Sequence, residues 1–408
     1  MGLRRQAALL RRRDFGLIWW GGFVSRIGDG FTLIAVSWFF AERDAPGELG
    51  LWFLCFEVAA IAGGILLSGV MDAYSRRWLM VIDSLVRAAA IAVIPAVGLF
   101  TDPGLGVLLP AAAVLGFFSP TADVGLRTIT VDLVESSELT EANSLEQVQW
   151  ITASLVGPTL AGVVVAVAGA LTALWIDAAS FVVFAVALIA MSERADRLHG
   201  EGGRRRSFVQ DVRGGMAYIR REPIMWGIIQ LTAGARIANG GMSVALPFLV
   251  QDLGGGSVAY GVLGTVAGAA GLVGTVAAGP IYPRVSATLA VTALSVFQGV
   301  ALLAISLEPP LVVVGVVIGL MSFTLAPWNV FLLTLRQRLV PPELLGRVMS
   351  LTMLSIRAGE PVGAGLGGAA LGPLGPAVVI GAAGLLALAN SAASLTSRRW
   401  RRLEMRVG

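Results

Sequence analysis

Ser25-Arg26-Ile27-Gly28-Asp29-Gly30 stands inside the first strong apolar run of the chain, Phe15 to Phe40. An arginine and an aspartate in such a run are costly and need a reason. The signal returns once, as Ala235-Arg236-Ile237-Ala238-Asn239-Gly240 inside the run Ile224 to Val250. At an offset of 210 residues, Arg26 falls on Arg236, Ile27 on Ile237, Gly30 on Gly240 and Ala35 on Ala245, while Asp29 becomes Asn239. The chain reads as two copies of one unit, with the titratable group kept in the first.

Working outward, the apolar runs continue. They are Leu49–Val70, Trp78–Phe100, Leu105–Val124, Trp150–Ala168 and Ala170–Met191, then Tyr260–Ile281, Val285–Leu307, Leu311–Leu333, Val348–Leu371 and Gly375–Leu395. With the first two, that makes twelve stretches near the ~20 residues needed to span a bilayer as a helix. A backbone in lipid has to satisfy its own hydrogen bonds, so each is expected to be helical. The runs at Trp150 and Val348 are expected to begin earlier, near Thr140 and Pro342. Composition agrees: 56% of residues are hydrophobic and 14% charged, against about 45–50% and about 25% in soluble chains. The expected fold class is an all-α membrane protein of twelve transmembrane helices.

Charge placement sets the orientation. Outside the runs, every arginine except Arg43 falls on one side if the N-terminus is cytoplasmic. The excess of cations inside places both termini in the cytoplasm, and it accounts for the net charge of +4 without a nucleic-acid partner. Cys55 and His199 are the only cysteine and the only histidine, so a disulfide, a zinc site and serine–histidine catalysis are not expected. No enzyme, metal or cofactor is indicated. Domains are expected at 1–191 and 224–408, each a six-helix bundle. Between them lies a cytoplasmic linker, 192–223, where Phe208, Val212, Met216 and Ile219 share one face of an amphipathic helix.

The repeat shows again at an offset of 206, where Gly157, Leu160 and Gly162 match Gly363, Leu366 and Gly368. Odd and even spans correspond, so the two bundles are parallel copies related by an axis along the membrane normal. Several segments then carry a specific likeness. They are Arg13-Asp14-Phe15, Ser25–Gly30, Phe117-Phe118-Ser119-Pro120, Asp132-Leu133-Val134, Ala142-Asn143-Ser144-Leu145, Gly157-Pro158-Thr159-Leu160-Ala161-Gly162, Ile176–Phe181 and Leu345–Leu351. In order and at spacing, they resemble the twelve-helix major facilitators, within the drug-efflux branch that holds macrolide exporters and the enterobactin exporter. The resemblance implies secondary export of lipophilic or amphiphilic small molecules by proton antiport and alternating access, in the bacterial inner membrane, by a monomer. A siderophore exporter or a lysophospholipid flippase stays open as the alternative, and a non-transporting sensor or scaffold is a further one. The family's loop after the second helix survives in part, as Asp72, Arg76 and Arg77, with Ala73 where the family has an arginine. The resemblance gives those three residues, and Gly157-Pro158, a gating or conformational role.

The charges within spans are the candidate machinery. Arg26 with Asp29, Asp83 with Arg87, and Arg357 with Glu360 are spaced to share a helix face. Glu57, Asp177 and Arg236 have no oppositely charged residue at that spacing. At ~1.5 Å per residue, Arg26, Asp29, Arg357 and Glu360 lie ~15–20 Å deep. Ionisable groups at that depth mark a transport path. Asp29, Glu57 and Glu360 are the proton-coupling candidates. Asp83 and Arg87 are read as a pair that satisfies itself locally and bears on gating. In the implied architecture a substrate cavity would draw on Arg26, Trp38, Phe56, Gln149, Trp150, Arg236, Asn239, Trp328, Asn329 and Arg357.

Overall fold

The computed structural model describes residues 2–192, 219, 222–281, 287–340 and 342–396. Among them, all regular structure is helical. In chain order the helices are α1 (Gly2–Arg11), α2 (Arg13–Ala41), α3 (Pro46–Ala73), α4 (Arg76–Gly98), α5 (Leu105–Leu133), α6 (Leu139–Ala168), α7 (Ala170–Ile189), α8 (Pro223–Asp252), α9 (Ser257–Ile281), α10 (Ala287–Ile305), α11 (Leu311–Leu339) and α12 (Pro342–Thr396). A 3-10 turn, Ser136–Glu138, leads into α6. Nine stretches among the described residues are long and apolar enough to cross a membrane. Three helices fall outside that set: the ten-residue α1, α8, which carries Arg236, Asn239 and Asp252, and α10, whose apolar part is shorter. The last two expected spans form one helix, α12, interrupted at Gly375. The two early starts expected from sequence are found at Leu139 and Pro342.

The internal repeat extends to backbone conformation. Gly169 has φ 85° between α6 and α7, and Gly375, 206 residues later, has φ 78° inside α12. A side chain there would be strained, and glycine lets two helices meet at a sharp corner. Asp44 (φ 48°) and Gly254 (φ 74°) are likewise 210 residues apart and follow the first helix of each copy. Close crossings repeat too. A Cβ on Gly157 of α6 would sit 3.2 Å from the Ile27 carbonyl of α2, and a Cβ on Gly363 of α12 would overlap the Ile237 carbonyl of α8. Small residues let membrane helices approach this closely.

The chain divides into two compact units. The first comprises 1–43, 55–201 and 256–265; the second comprises 44–54, 202–255 and 266–408. In the first, α7 packs on both α2 and α4, and α6 lies against α2. In the second, α8 packs along α12, with α10 and α11 beside it. The expected linker lies almost wholly outside the described residues, as do the side chains around Asp72. Ile219 is described, and it is buried with Met225, Ile228 and Trp328 in the second unit.

Charged groups at the ends of the first unit are tied to specific helix termini. Arg77 is 6% exposed. Its Nε donates to the Leu188 carbonyl at 2.8 Å, one Nη to Ile189 at 2.7 Å and the other to Ser192 at 3.3 Å. Arg13 donates to Ala190 at 3.1 Å, and Asp14 accepts from the Ser192 backbone at 3.0 Å. The C-terminal carbonyls of α7, orphans of any helix end, are thus bonded by a cation that also suits the negative end of the helix dipole. Arg76 pairs with Asp132 at 3.0 Å, and Arg12 meets Glu138 through two bonds of 2.6 and 2.7 Å. Arg77→Ala should destabilise the protein by roughly 1.5–3 kcal/mol, the range for a hydrogen-bonded charge. It should be read as a lowered melting temperature in detergent, with Arg77→Lys recovering part of the loss because one of three donor directions survives.

Candidate functional site

Three helices of the first unit converge on one guanidinium. Arg87, on α4, is buried, and its Nη donates to Asp29 Oδ1 of α2 at 2.8 Å. Its guanidinium carbon lies 4.2 Å from the ring centroid of Phe181 on α7, a favourable placement for a cation. One turn back on α7, Asp177 is 1% exposed and accepts hydrogen bonds from Thr32 of α2 and, at 3.1 Å, from Ser180. Asp83, one turn before Arg87, is also 1% exposed, and its Oδ1 has no hydrogen-bond partner. Arg87 interacts electrostatically with all three carboxylates, Asp29, Asp83 and Asp177. Asp29 differs from the other two in being half exposed, at 48% for its side chain. Gly28 is what brings α2 so close, since a Cβ there would overlap Ser180 and the Asp177 carboxylate.

This arrangement departs from the pairings read along the helices. The hydrogen bond of Arg87 goes across the bundle to Asp29, and not to Asp83 four residues away. Arg26 lies 3.8 Å from Glu146 of α6, and Arg127 of α5 approaches the same carboxylate at 3.5 Å. In the second unit, Glu360 stands 3.6 Å from Arg236 and accepts from Asn239 at 2.8 Å, while Arg357, three residues before Glu360, is exposed. The physical reason is common to all of these. Spacing along one helix fixes which face a group is on, but neighbouring helices offer partners at shorter range and better angle.

The repeat arginines thus share a role in kind. Each meets a glutamate on the fifth helix of its own copy. The two glutamates are not equivalent positions, because at the offset of 206 Glu146 falls on Thr352 and Glu360 on Ser154.

The other expected residues separate by burial. Gln149 is buried and donates from Nε2 to the Trp19 carbonyl; Trp19 donates to the Leu145 carbonyl at 2.9 Å. Trp38 is buried against Tyr260, ring centroids 6.4 Å apart. Trp328 is buried and donates to Ser295 at 2.9 Å. All three side chains are buried within their units. Trp150, Asn239, Asn329 and Arg357 are exposed, and Phe56 and Glu57 are half-buried. Gly157 and Pro158 lie in the middle of α6, both buried. Residues missed from sequence are Asp177 as a member of the cluster, its donors Thr32 and Ser180, and Glu146. An available signal for Glu146 is its place two turns inside a helix already expected to start near Thr140.

Known proteins with the same pattern are transporters. Residues 18–364 match the Major Facilitator Superfamily. The chain is 28% identical over 360 residues to the uncharacterized MFS-type transporter y4rN of Sinorhizobium fredii, covering 85% of each. It is 22% identical over 371 residues to the multidrug efflux pump Tap of Mycolicibacterium fortuitum, covering 88% of this chain and 89% of that one. Among solved structures, the nucleoside transporter NupG superposes with a TM-score of 0.76 at 13% identity, over 96% of this chain and all of that one. The last likeness bears on the fold.

Arg87→Met would leave three carboxylates around a site without its cation. Removing one partner of a buried pair typically costs about 3–5 kcal/mol, and the exposure of Asp29 places the expected loss near the low end. The measurement is a melting curve in detergent. Adding Asp29→Asn to Arg87→Met should restore part of the stability, as a double-mutant cycle with a coupling of about 1 kcal/mol or more. Additive losses would show that the two side chains do not depend on each other.

Proposed function

Because the chain belongs to the Major Facilitator Superfamily, and so is a multi-pass membrane transporter and not an enzyme, we propose that it exports lipophilic or amphiphilic small molecules in exchange for protons. It would act by alternating access as a monomer in the bacterial inner membrane, both termini cytoplasmic. The observation that carries this reading is the Asp29–Arg87 pair. It lies in the middle of an apolar bundle, one partner half exposed, and its repeat counterpart is the neutral Asn239.

The chemistry follows from that geometry. An ionised Asp29 holds Arg87 by a charge-assisted hydrogen bond. A proton on Asp29 removes the attraction, and the tie between α2 and α4 loosens. Binding a proton from outside and releasing it inside would therefore bias the helices of the first unit between two arrangements. Asn239 cannot do this, because its amide, which donates to Glu360, takes up no proton. The absence of lysine removes the phosphate-binding Gly-x-x-x-x-Gly-Lys pattern, which leaves an ion gradient as the driving force. The substrate class is supported by the exposed Trp150 and the half-buried Phe56, and by the resemblance to Tap, named as a multidrug pump. Pockets for such ligands are mostly apolar with a few placed polar groups.

Inverted membrane vesicles carrying the protein, acidified inside, are expected to accumulate ethidium, and a protonophore should abolish the accumulation. Asp29→Asn should reduce it to the background of empty vesicles while leaving the protein folded. Wild-type accumulation by Asp29→Asn with unchanged pH dependence would remove Asp29 from the mechanism. Accumulation indifferent to the protonophore would remove proton exchange altogether.

A further inference from the structure

Two carboxyl groups of the first unit have no part in the exchange just described. Asp83 on α4 and Asp177 on α7 are both sealed from solvent. Among the described residues, the charged groups facing them are Asp29 from α2 and Arg87 from α4. α6 also packs on α2 and α7, and it brings Glu146, which lies with Arg26 and Arg127. α5 packs on α4 and contributes that same Arg127. Arg87 therefore serves both buried carboxyl groups while it is bonded to Asp29.

If all three were ionised, the cluster would carry a net charge of −2. Two like charges ~5 Å apart repel by about 3 kcal/mol at an effective dielectric constant of ~20, and each buried ion adds several kcal/mol of lost hydration. Protons on two of the three bring the net charge to zero. The hydrogen bonding shows which two. Arg87 is bonded to Asp29, the exposed one. Asp83 has an oxygen with no partner, which is far cheaper to bury on a neutral carboxyl than on an anion.

Arg87 is also placed to change partners. Its guanidinium rests on the Phe181 ring, one helical turn from Asp177 on the same face of α7, and its Nε has no hydrogen-bond partner.

We propose that Asp177 and Asp83 are the proton store of the first unit, and that Arg87 is a sliding counter-ion that trades Asp29 for Asp177. This rests on the proton-exchange reading above and deepens it. In the arrangement seen, Asp29 is ionised and bonded to Arg87, and Asp177 and Asp83 each hold a proton. When a proton from outside forms an O–H bond on Asp29, the guanidinium is released and moves to Asp177. The O–H bond of Asp177 then breaks, and its proton passes to water on the inner side. One proton has entered and one has left. The cluster is neutral in both arrangements, and Arg87 keeps its charge throughout. Thr32 and Ser180 position the Asp177 carboxyl by hydrogen bonds that serve either protonation state.

Infrared spectroscopy of the purified, substrate-free protein in nanodiscs at neutral pH tests this without any transport. Two carboxylic-acid C=O bands are expected, one hydrogen-bonded and one at higher frequency from an unbonded group. Asp177→Asn should remove the first and Asp83→Asn the second. Asp29→Asn should also remove the first, because Arg87 then settles on Asp177 and ionises it. Thr32→Val, which keeps the shape of the side chain, should move the Asp177 band to higher frequency by deleting a hydrogen bond to its oxygen; this variant covers the case in which Asp177→Asn does not fold. The proposal is overturned if wild-type protein shows neither band, if the Asp177 band survives Asp177→Asn, or if Asp29→Asn leaves both bands in place. Ethidium flux judges proton exchange separately: lost flux with intact bands would sink exchange and leave the store standing.

Discussion

A polar group inside a bilayer finds its partner within the protein or goes without. That constraint shapes this chain at every level. It forces the backbone into helices and leaves their ends as the places where cations and carboxylates collect. Arg77 on the last carbonyls of α7 is one such settlement, and Arg12 against Glu138 is another. It also makes an arginine in mid-helix an organising centre. Arg87 cannot be solvated, so α2 must supply Asp29 and α7 must supply the face of Phe181. The packing of α2, α4 and α7 and the placement of the titratable groups are therefore one problem with one solution.

Close helix approach is the other half of that solution. Gly28 lets α2 pass directly over Asp177 and Ser180, and without that approach Thr32 could not donate to the buried carboxyl. The same device holds α2 on α6 through Gly157 and α8 on α12 through Gly363. These glycines occupy equivalent places in the two copies, whereas Gly28 falls on Ala238 in the second. The general architecture is thus kept in duplicate, and the approach at Gly28 is added in the copy that carries Asp177.

Much of this architecture is legible in the amino-acid sequence. The lengths of the apolar runs, the arginine asymmetry and the offsets of 206 and 210 rest on local composition and periodicity, and α6 and α12 begin where the sequence places them. The offsets even anticipate paired corners in the backbone, at Gly169 with Gly375 and at Asp44 with Gly254. Partner choice is not legible. Asp29 and Arg87 are 58 residues apart, and helical spacing reports the face of a residue without naming the helix opposite. Local pairing of Asp83 with Arg87 looks sufficient for that reason. Glu146 escapes notice because it precedes the apolar run of its helix, although the helix itself begins earlier. Burial is not legible either: Trp38, Gln149 and Trp328 are buried and Trp150 and Asn329 exposed, although an aromatic or amide in an apolar run looks the same in both places.

The difference between Asp29 and Asn239 acquires a physical meaning from these contacts. Asn239 is bonded to Glu360, which also faces Arg236. That set joins an amide, a carboxylate and a guanidinium, and its amide bond does not change with a proton on the asparagine, because there is none to take. At the equivalent place in the first unit, a carboxylate is bonded to an arginine that has two further carboxyl groups within its field. A bond of that kind is conditional. It is strong when Asp29 is ionised, weak when it is not, and alternative acceptors lie one helical turn away.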